Sequence, residues 1–462
     1  MIQREAEVVI CGAGICGVSV AYHLAVRHGV KNVVLIDERE PLTLTSDKST
    51  ECYRNWWPGP GDGMMRFMNR SIDLLEELAD GSDNFFRLNR RGYVFLTAVP
   101  ERKTQLQAEA EAISALGAGE LRVHNGRLSD QPYIPHANEG YHNQPEGADL
   151  IVDPTMIQDI FPFINDDAIA MLHARRCGWL SAQQLGMYLL QEARAHGVEL
   201  LRGRVTDVTV EGGKITAVSA NLADEGAITI GTSCFVNAAG PYIADVARMI
   251  GVELPVFNEL HGKIAFRDEL GVIPRDVPLM IWEDPVDLVW SEEERAELAQ
   301  DPETAWLLQT FPAGVHFRPE GEGDSPILLV LWTYHLDPKP VIWPPSFDPE
   351  YAEIVMRGLA RMVPGLATYL GKMGKPYVDG GYYCKTRENR PLVTPLPVEG
   401  AYLFGAVSGF GIMASQAGAD LLAAHITGSP LPDYAPAFLL SRYGDPDYVA
   451  AIDKVAATSG QL

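Results

Sequence analysis

Three glycines near the start of the chain have the spacing of a phosphate-binding turn. Gly12, Gly14 and Gly17 directly follow the apolar run at residues 8–10 and open an apolar helical pattern. The first glycine permits a sharp turn, the second lets backbone N–H groups approach a pyrophosphate, and the third lets helix and strand pack closely. Asp37 ends the next apolar run, at the distance expected for an acid that binds a ribose hydroxyl. The pattern predicts a dinucleotide site, although a tight turn alone could account for the glycines.

The glycine pattern is shared by NAD and FAD folds, so other stretches of the chain must distinguish the two cofactors. Four of them are residues 45–54, 177–181, 236–240 and 380–418, the last containing Thr-Arg-Glu-Asn-Arg-Pro at 386–391 and a glycine-rich turn at 405–411. With the first turn, they give a chain that resembles the D-amino acid oxidase superfamily of FAD enzymes, in particular its sarcosine oxidase and glycine oxidase branch. The resemblance covers nearly the full length, in pieces, and implies FAD as the cofactor.

The second glycine turn has a physical reason to lie at the flavin. It leads into an apolar helical pattern over residues 412–426. Free N–H groups and the positive end of that helix can face the N1 and O2 edge of the isoalloxazine ring, where negative charge grows on reduction. The alternative is a glycine loop that merely begins a helix.

The motifs and the resemblance together predict one set of residues at the FAD. These residues are Gly12, Gly14, Ile15, Cys16, Gly17, Asp37, Glu38, Ser46, Ser49, Thr50, Glu51, Val205, Ala239, Gly240, Ser408, Gly409, Phe410, Gly411 and Ile412. Monomeric sarcosine oxidases tether their flavin to a cysteine, and the equivalent position here is Gly381. We therefore expect FAD to be bound non-covalently and interpret the nearby Cys384 as an ordinary packed residue.

Arg54 is the predicted anchor for a substrate carboxylate. It ends residues 45–54, and in the sarcosine oxidases the last arginine of this loop holds the substrate carboxylate. A planar guanidinium suits a carboxylate better than other side chains do, although a surface arginine is the alternative. Tyr383 stands where glycine oxidases have their carboxylate arginine, and Met413 where sarcosine oxidases have a second cation. The substrate could therefore be larger or more apolar than sarcosine, and Tyr383 is counted as a candidate site residue.

Residues 329–335 alternate in character, which predicts a strand with two different faces. Trp332 and Tyr334 share one face, and Leu331, Thr333 and His335 share the other. We expect one of these faces to cover the flavin, and Trp332 and Tyr334 could hold a methylated ammonium by cation–π attraction. Core packing is the alternative role for both aromatic residues.

The sarcosine oxidases carry a lysine on the strand equivalent to residues 329–335, and its charge assists electron transfer to O2. This stretch contains no lysine. We therefore predict slow reaction with O2 and faster turnover with another electron acceptor. His261 and Lys263 share a face of a neighbouring predicted strand and could replace the missing charge. His261 is a candidate polar group over the flavin, with a satisfied structural histidine as the alternative.

The elements that must position these residues form an α/β pattern. Strand, glycine turn, helix and strand over residues 8–36 read as a βαβ unit, and a helix with further strands follows at residues 185–218. Residues 327–335 alternate as in an antiparallel sheet, whereas residues 290–323 are acidic and predict a helix plus a surface loop. We predict a Rossmann-type FAD-binding domain (1–86, 177–251 and 376–462) and a mainly antiparallel β substrate domain (87–176 and 252–375).

The composition excludes some partners. The 462 residues carry a net charge of −24, which repels phosphate backbones and anionic lipid, so neither nucleic acid nor a membrane is expected as a partner. The chain begins without the charged and apolar pattern of a leader peptide, and its six cysteines lack metal-type spacing, so a cytoplasmic location is expected. No oligomeric state is predicted.

The resemblance implies oxidation of a secondary or tertiary amine or an amino acid to an imine by hydride transfer to flavin N5. The sequence shows no acid/base pair, and selecting a neutral amine requires no strong base. Two alternatives stay open, namely an NAD(P)H-dependent flavin monooxygenase and an FAD-bearing electron-transfer subunit of a larger complex.

Overall fold

The computed structural model describes residues 4–321 and 323–452. Residues 1–3, 322 and 453–462 lie outside the described residues. They include the beginning of the chain, on which the leader argument rests, and parts of three predicted domain segments.

The described helices are α1 (Ile15–Tyr22), α2 (Gly63–Gly81), α3 (Pro100–Ile113), α4 (Pro154–Ile160), α5 (Ala182–Ala195), α6 (Ile243–Arg248), α7 (Glu292–Leu298), α8 (Tyr351–Met362), α9 (Gly411–Thr427) and α10 (Pro446–Ile452). The strands are β1 (Arg4–Glu5), β2 (Val8–Cys11), β3 (Val33–Asp37), β4 (Cys52–Arg54), β5 (Tyr93–Thr97), β6 (Leu121–His124), β7 (Ala148–Ile151), β8 (Ala170–Ala174), β9 (Cys177–Trp179), β10 (Glu199–Glu211), β11 (Lys214–Leu222), β12 (Gly226–Gly231), β13 (Phe235–Asn237), β14 (Phe257–Arg267), β15 (Leu279–Trp282), β16 (Val286–Asp287), β17 (Thr310–Phe311), β18 (His316–Pro319), β19 (Ile327–Leu331), β20 (Tyr377–Lys385), β21 (Leu392–Pro395) and β22 (Ala401–Gly405).

The first sheet has the strand order β1-β12-β11-β10-β3-β2-β13-β22-β21. Its centre, from β10 to β22, is parallel. The strands β2, β3, β13 and β22 of this centre are mainly apolar, as expected in a parallel sheet that is covered on both faces. Helices α1, α5 and α9 lie against it through buried residues that include Val18, Leu189 and Ala417. The carboxyl ends of β2, β3 and β13 therefore meet at one edge, where a doubly wound sheet binds its ligand.

The second sheet has the order β20-β14-β19-β18-β15-β5-β8-β7-β6 and is mainly antiparallel. A separate apolar core lies between this sheet and α8, with Ile264, Val330 and Leu359 fully buried. Together the two sheets confirm the predicted α/β class, with a Rossmann-type part and a mainly antiparallel part.

The structure differs from the sequence-based expectations at three places in the chain. The strand predicted over residues 329–335 ends at Leu331, because Trp332 and the residues after it leave the sheet. The segment at 290–323 contains the helix α7, but it also contains β18, an inner strand whose four residues are buried. The domain limits stay a prediction, and β20, placed by the sequence in the FAD-binding part, is hydrogen-bonded to β14 of the second sheet.

None of the helices in the described ranges is long and apolar enough to cross a membrane.

Candidate functional site

A cavity of about 270 Å³ lies at the carboxyl edge of the first sheet. Its lining includes Gly12, Gly14, Asp37 and Glu38 together with residues 405–409 and Tyr383. The cavity thus connects the first glycine turn to the second, as a site for one dinucleotide that contacts both turns requires.

The first glycine turn is closed so tightly that side chains are excluded from it. Gly12 has a φ of +106°, and a Cβ atom on it would lie 2.4 Å from the carbonyl oxygen of Ala238. A Cβ atom on Gly17 would lie 1.8 Å from the carbonyl oxygen of Gly12. Gly17 therefore acts in packing α1 against the turn, and it does not line the cavity, whereas Gly12 and Gly14 do.

Asp37 ties the end of β3 to this turn. One carboxylate oxygen accepts from Ala13 N at 2.7 Å, and the other accepts from Arg39 N at 2.9 Å. Burial raises the pKa of Asp37 from its ordinary value, which these two backbone donors partly offset. A carboxylate offers about four acceptor positions, so Asp37 can also accept from a ribose hydroxyl.

The second turn, residues 406–410, contains a buried hydroxyl whose hydrogen-bonding capacity is not satisfied by the described residues. Ala406 and Ser408 both have positive φ values, 53° and 45°, which non-glycine residues seldom adopt and which mark functional turns. Ser408 Oγ is buried without a hydrogen-bond partner among the described residues. Such an atom costs free energy unless a ligand satisfies it. The positive end of α9 begins directly after the turn, at Gly411.

Most of the residues predicted at the FAD line this cavity. They are Gly12, Gly14, Ile15, Cys16, Asp37, Glu38, Ser46, Ser49, Val205, Ala239, Gly240, Ser408, Gly409, Gly411 and Ile412. The sequence reasoning had missed others, among them Leu42, Arg204 and Tyr242. Leu42 has a φ of 67°, and its place in a loop without a motif gave no signal.

Three predicted cofactor residues, besides Gly17, lie elsewhere. Thr50 and Phe410 line a second, smaller cavity. Glu51 faces away from both cavities, because its carboxylate accepts from Arg318 at 2.9 Å and from Ala182 N at 3.0 Å. Through these two hydrogen bonds, Glu51 holds the loop between β3 and β4 in place on the side away from the cavities.

The chemistry of this cavity fits FAD. Backbone donors at a helix N-terminus suit the pyrophosphate, the carboxylates of Asp37 and Glu38 suit a ribose, and Ser408 supplies a hydroxyl where the ring would end. Cys384 also lines the cavity, but burial raises the pKa of its thiol to about 12, so it is a poor nucleophile. At Gly381 a Cβ atom would lie 3.1 Å from Lys48 Cβ, so the position equivalent to the tether has little room for a side chain.

The second cavity measures about 40 Å³. Tyr383 and Gly409 line both cavities, so the two cavities adjoin there, at the second turn. Of the described residues around the small cavity, Arg54 alone has a permanent charge. Its guanidinium lies 4.5 Å above the ring of Trp57, and its side chain is 5% exposed.

The structure brings Arg54, His261 and Tyr383 together at the small cavity, but not Trp332 and Tyr334. Trp332 is buried in the core of the second sheet and donates to the carbonyl of Pro312. Tyr334 donates to Asp348 at 2.7 Å. The aromatic wall comes instead from residues of other elements, namely Trp57, Tyr93, Tyr383 and Phe410.

Leu331 and Thr333, on the other predicted face, do line the small cavity. His261 joins Thr333 to a charged pair behind it. His261 Nδ1 lies 2.8 Å from Thr333 Oγ1, and Nε2 lies 3.1 Å from a carboxylate oxygen of Glu259. The same oxygen accepts from Lys385 Nζ at 2.9 Å, and the ring of Tyr383 stacks on His261 with 4.0 Å between centroids.

The electrostatics of this group follow from its burial. Burial lowers the pKa of His261, so the ring is neutral at physiological pH despite Glu259. Burial alone would raise the pKa of Glu259, but His261 and Lys385 hold it below its ordinary value, so it is ionised. His316, which also lines the cavity, has its pKa lowered to about 4 by burial.

The sequence reasoning had missed Glu259, Lys385 and His316 as members of the site, and it had named Thr333 only as part of a strand face. Glu259 and His261 are two residues apart on β14, so strand alternation could have placed them on one face. Lys385 is brought to Glu259 by the pairing of β14 with β20, which no local pattern shows. Within the described ranges, no cluster of His, Cys, Asp or Glu could hold a metal.

Comparison with known proteins agrees with this architecture. A family model described as FAD dependent oxidoreductase (DAO) matches residues 7–425. Mitochondrial dimethylglycine dehydrogenase from Rattus norvegicus is 26% identical over 347 residues, which cover 72% of this chain and 33% of that protein. The chain thus spans about a third of the length of this relative.

Solved structures share the fold. Glycine oxidase from Geobacillus kaustophilus superimposes with a TM-score of 0.71 at 14% identity, covering 95% of this chain and 99% of that one. L-proline dehydrogenase from P. horikoshii superimposes with a TM-score of 0.69 at 18% identity, covering 96% and 99%.

Proposed function

Because the chain belongs to the DAO family of FAD-dependent oxidoreductases, we propose that it oxidises the CH–NH bond of a small amino acid. The residues of the large cavity would hold FAD non-covalently, and FAD bound there would supply the hydride acceptor for this oxidation. The small cavity binds the substrate, with an N-methylated glycine as the favoured class. The observation that supports the proposal is the buried Arg54 in a small cavity that adjoins the large one at the second turn.

The size and lining of the small cavity support a small substrate with a carboxylate. A buried water molecule needs a cavity volume of about 10–15 Å³. The small cavity, with about 40 Å³, therefore accommodates only a few non-hydrogen atoms. Arg54 offers a fork of N–H donors that matches a carboxylate, and its burial strengthens that bond. Bound in this way, the substrate has its amino end directed away from Arg54.

The rest of the lining supports a methylated nitrogen in its neutral form. Trp57, Tyr93, Phe410 and Met413 are apolar or aromatic, and the described lining contains no Asp or Glu. A cavity with this lining accepts N-methyl groups and disfavours a buried ammonium group. A carboxylate in the lining would have stabilised the ammonium. Hydride loss requires the neutral amine, whose lone pair forms the imine.

The proposal is tested by anaerobic titration of the purified yellow protein with glycine, sarcosine, N,N-dimethylglycine and L-proline. Bleaching of the flavin absorbance by one of these amino acids, saturating with concentration, is the expected result. The matched control is the amine of each substrate without its carboxylate. Bleaching by NADPH alone would instead support a monooxygenase, and bleaching by neither class would support an electron-transfer subunit.

A further inference from the structure

The group formed by Thr333, His261, Glu259 and Lys385 has a defined direction of hydrogen bonding. An ionised carboxylate only accepts, so His261 Nε2 carries the proton that it donates to Glu259 at 3.1 Å. In a neutral imidazole the other nitrogen is then an acceptor, so Thr333 Oγ1 donates to Nδ1 at 2.8 Å.

This direction fixes what Thr333 can offer to the cavity. A hydroxyl has one proton and two lone pairs, and the proton of Thr333 is used on His261. The side that faces the cavity is therefore an acceptor, and its partner on a substrate must be an N–H or O–H donor. The ammonium group of an amino acid is such a donor.

Resting on the proposed function, we propose that Thr333 and His261 remove the proton from the substrate ammonium, with Glu259 and Lys385 as positioning residues. The ammonium N–H bond breaks and its proton passes to Thr333 Oγ1, while the hydroxyl proton of Thr333 passes to His261 Nδ1. The substrate is left with a lone pair and His261 becomes an imidazolium. No electrons are transferred in this step.

The buried charges make that transfer possible. The imidazolium would be stabilised by Glu259, whose negative charge is held in place by Lys385 at 2.9 Å. Lys385 itself is fully buried, and the two residues form an ion pair with 4% exposure or less. Transfer out of water disfavours the substrate ammonium, which brings its pKa closer to that of the histidine.

Titratable and charged groups near His261 come from four elements. They are Glu259 on β14, Tyr383 and Lys385 on β20, His316 on β18, and Arg54 on β4. Tyr383 has its pKa raised by burial and stays neutral, and His316 is neutral above about pH 4. Glu259 is therefore the anion that stabilises the imidazolium form of His261.

The test is the pH dependence of anaerobic flavin reduction, measured by stopped-flow with the best of the four amino acids above. An alkylammonium group loses its proton at about pH 10, so at about pH 8 only about 1% of the substrate is neutral in solution. The variant Thr333→Val cannot take the proton from the ammonium group, so it can oxidise only this neutral fraction of the substrate. We expect reduction about 100-fold slower than wild type at about pH 8, with the difference disappearing above about pH 10.

Two further variants distinguish loss of the proton route from a general structural effect. Thr333→Ser retains the hydroxyl and should restore the wild-type profile. The charge-balanced double variant Glu259→Gln/Lys385→Met removes the anion without leaving an unpaired buried cation, and its profile should also shift to higher pH. The control is Thr310→Val, which removes an exposed hydroxyl bonded to Asp287 and should not change the profile.

The outcomes separate the two proposals. If no amino acid reduces the wild-type flavin, the proposed function fails and this proposal fails with it. If wild type is reduced but Thr333→Val is slower by the same factor at every pH, or not slower at all, the proton route is wrong while the proposed function stands.

Discussion

Replacing Arg54 by Lys tests the substrate site most directly. The guanidinium lies in the small cavity with 5% of the side chain exposed, so water cannot substitute for a lost hydrogen bond. Lys keeps the charge but presents a single ammonium in place of a planar fork, and one charged hydrogen bond of a bidentate pair is lost.

The size of the effect follows from that one bond. A charged hydrogen bond is worth about 1.5–3 kcal/mol, which corresponds to a loss of about 10- to 150-fold in affinity for the amino acid. The contact of Arg54 with the Trp57 ring at 4.5 Å does not involve the substrate. Its loss therefore affects stability more than binding, and FAD content should be normal.

The assay compares two ligands in each protein. Anaerobic bleaching gives the apparent affinity for the amino acid and for the same amine without its carboxylate, and only the first should weaken in Arg54→Lys. Arg361→Lys, at a surface ion pair with Asp167, is the control. An unchanged affinity for the amino acid, or an equal loss for both ligands, would refute the assignment of Arg54.

Three other outcomes are expected. Acid precipitation should release all the flavin into the supernatant, and yellow colour retained in a washed pellet but lost in Cys384→Ala would show a tether. Reduced enzyme mixed with aerated buffer should be reoxidised by O2 more slowly than the substrate reduces it. The reason is that Lys263, the cation that could replace the missing lysine, donates from Nζ to two carbonyl groups of the loop between β3 and β4. If reoxidation proves fast instead, Lys263→Met should slow it. Glu388→Gln should lower the free energy of unfolding by about 3 kcal/mol, because it breaks a buried pair with Arg442. Burial raises the pKa of Glu388, but Arg442 and Tyr443 hold it below its ordinary value. The stability from Glu388 is thus present above about pH 4.5 and is lost as pH falls further, so the melting temperatures of wild type and variant should converge in acid.

The sequence predicted those parts of the fold that have local signals. The glycine turn, α1 and the strands on either side were read from apolar runs and glycine spacing, which are short-range properties. The hairpin between β10 and β11 is local as well, because Gly212 and Gly213 at its turn have φ values of 59° and 83°, which glycine adopts readily. In both cases the conformation depends on neighbouring residues.

The parts that could not be predicted depend on pairing between distant elements. Alternation gave residues 329–335 two faces, but which face meets the cavity is decided by the packing of Trp332 against α8, where Gly358 leaves room for the indole. The strand β18 was hidden in an acidic segment, and His316 with it. The pair of Glu259 and Lys385 needs the register of β14 against β20, in which Lys385 lies opposite Phe257, diagonal to Glu259.

The shared wall between the two cavities has a thermodynamic consequence. Tyr383 and Gly409 line both spaces, and a Cβ atom on Gly409 would lie 2.5 Å from the ring of Tyr383, so neither can move without disturbing the other. A ligand that orders this wall from one side orders it for the other side as well. Affinities linked in this way are reciprocal, so whatever factor FAD adds to substrate binding, bound substrate adds to the retention of FAD.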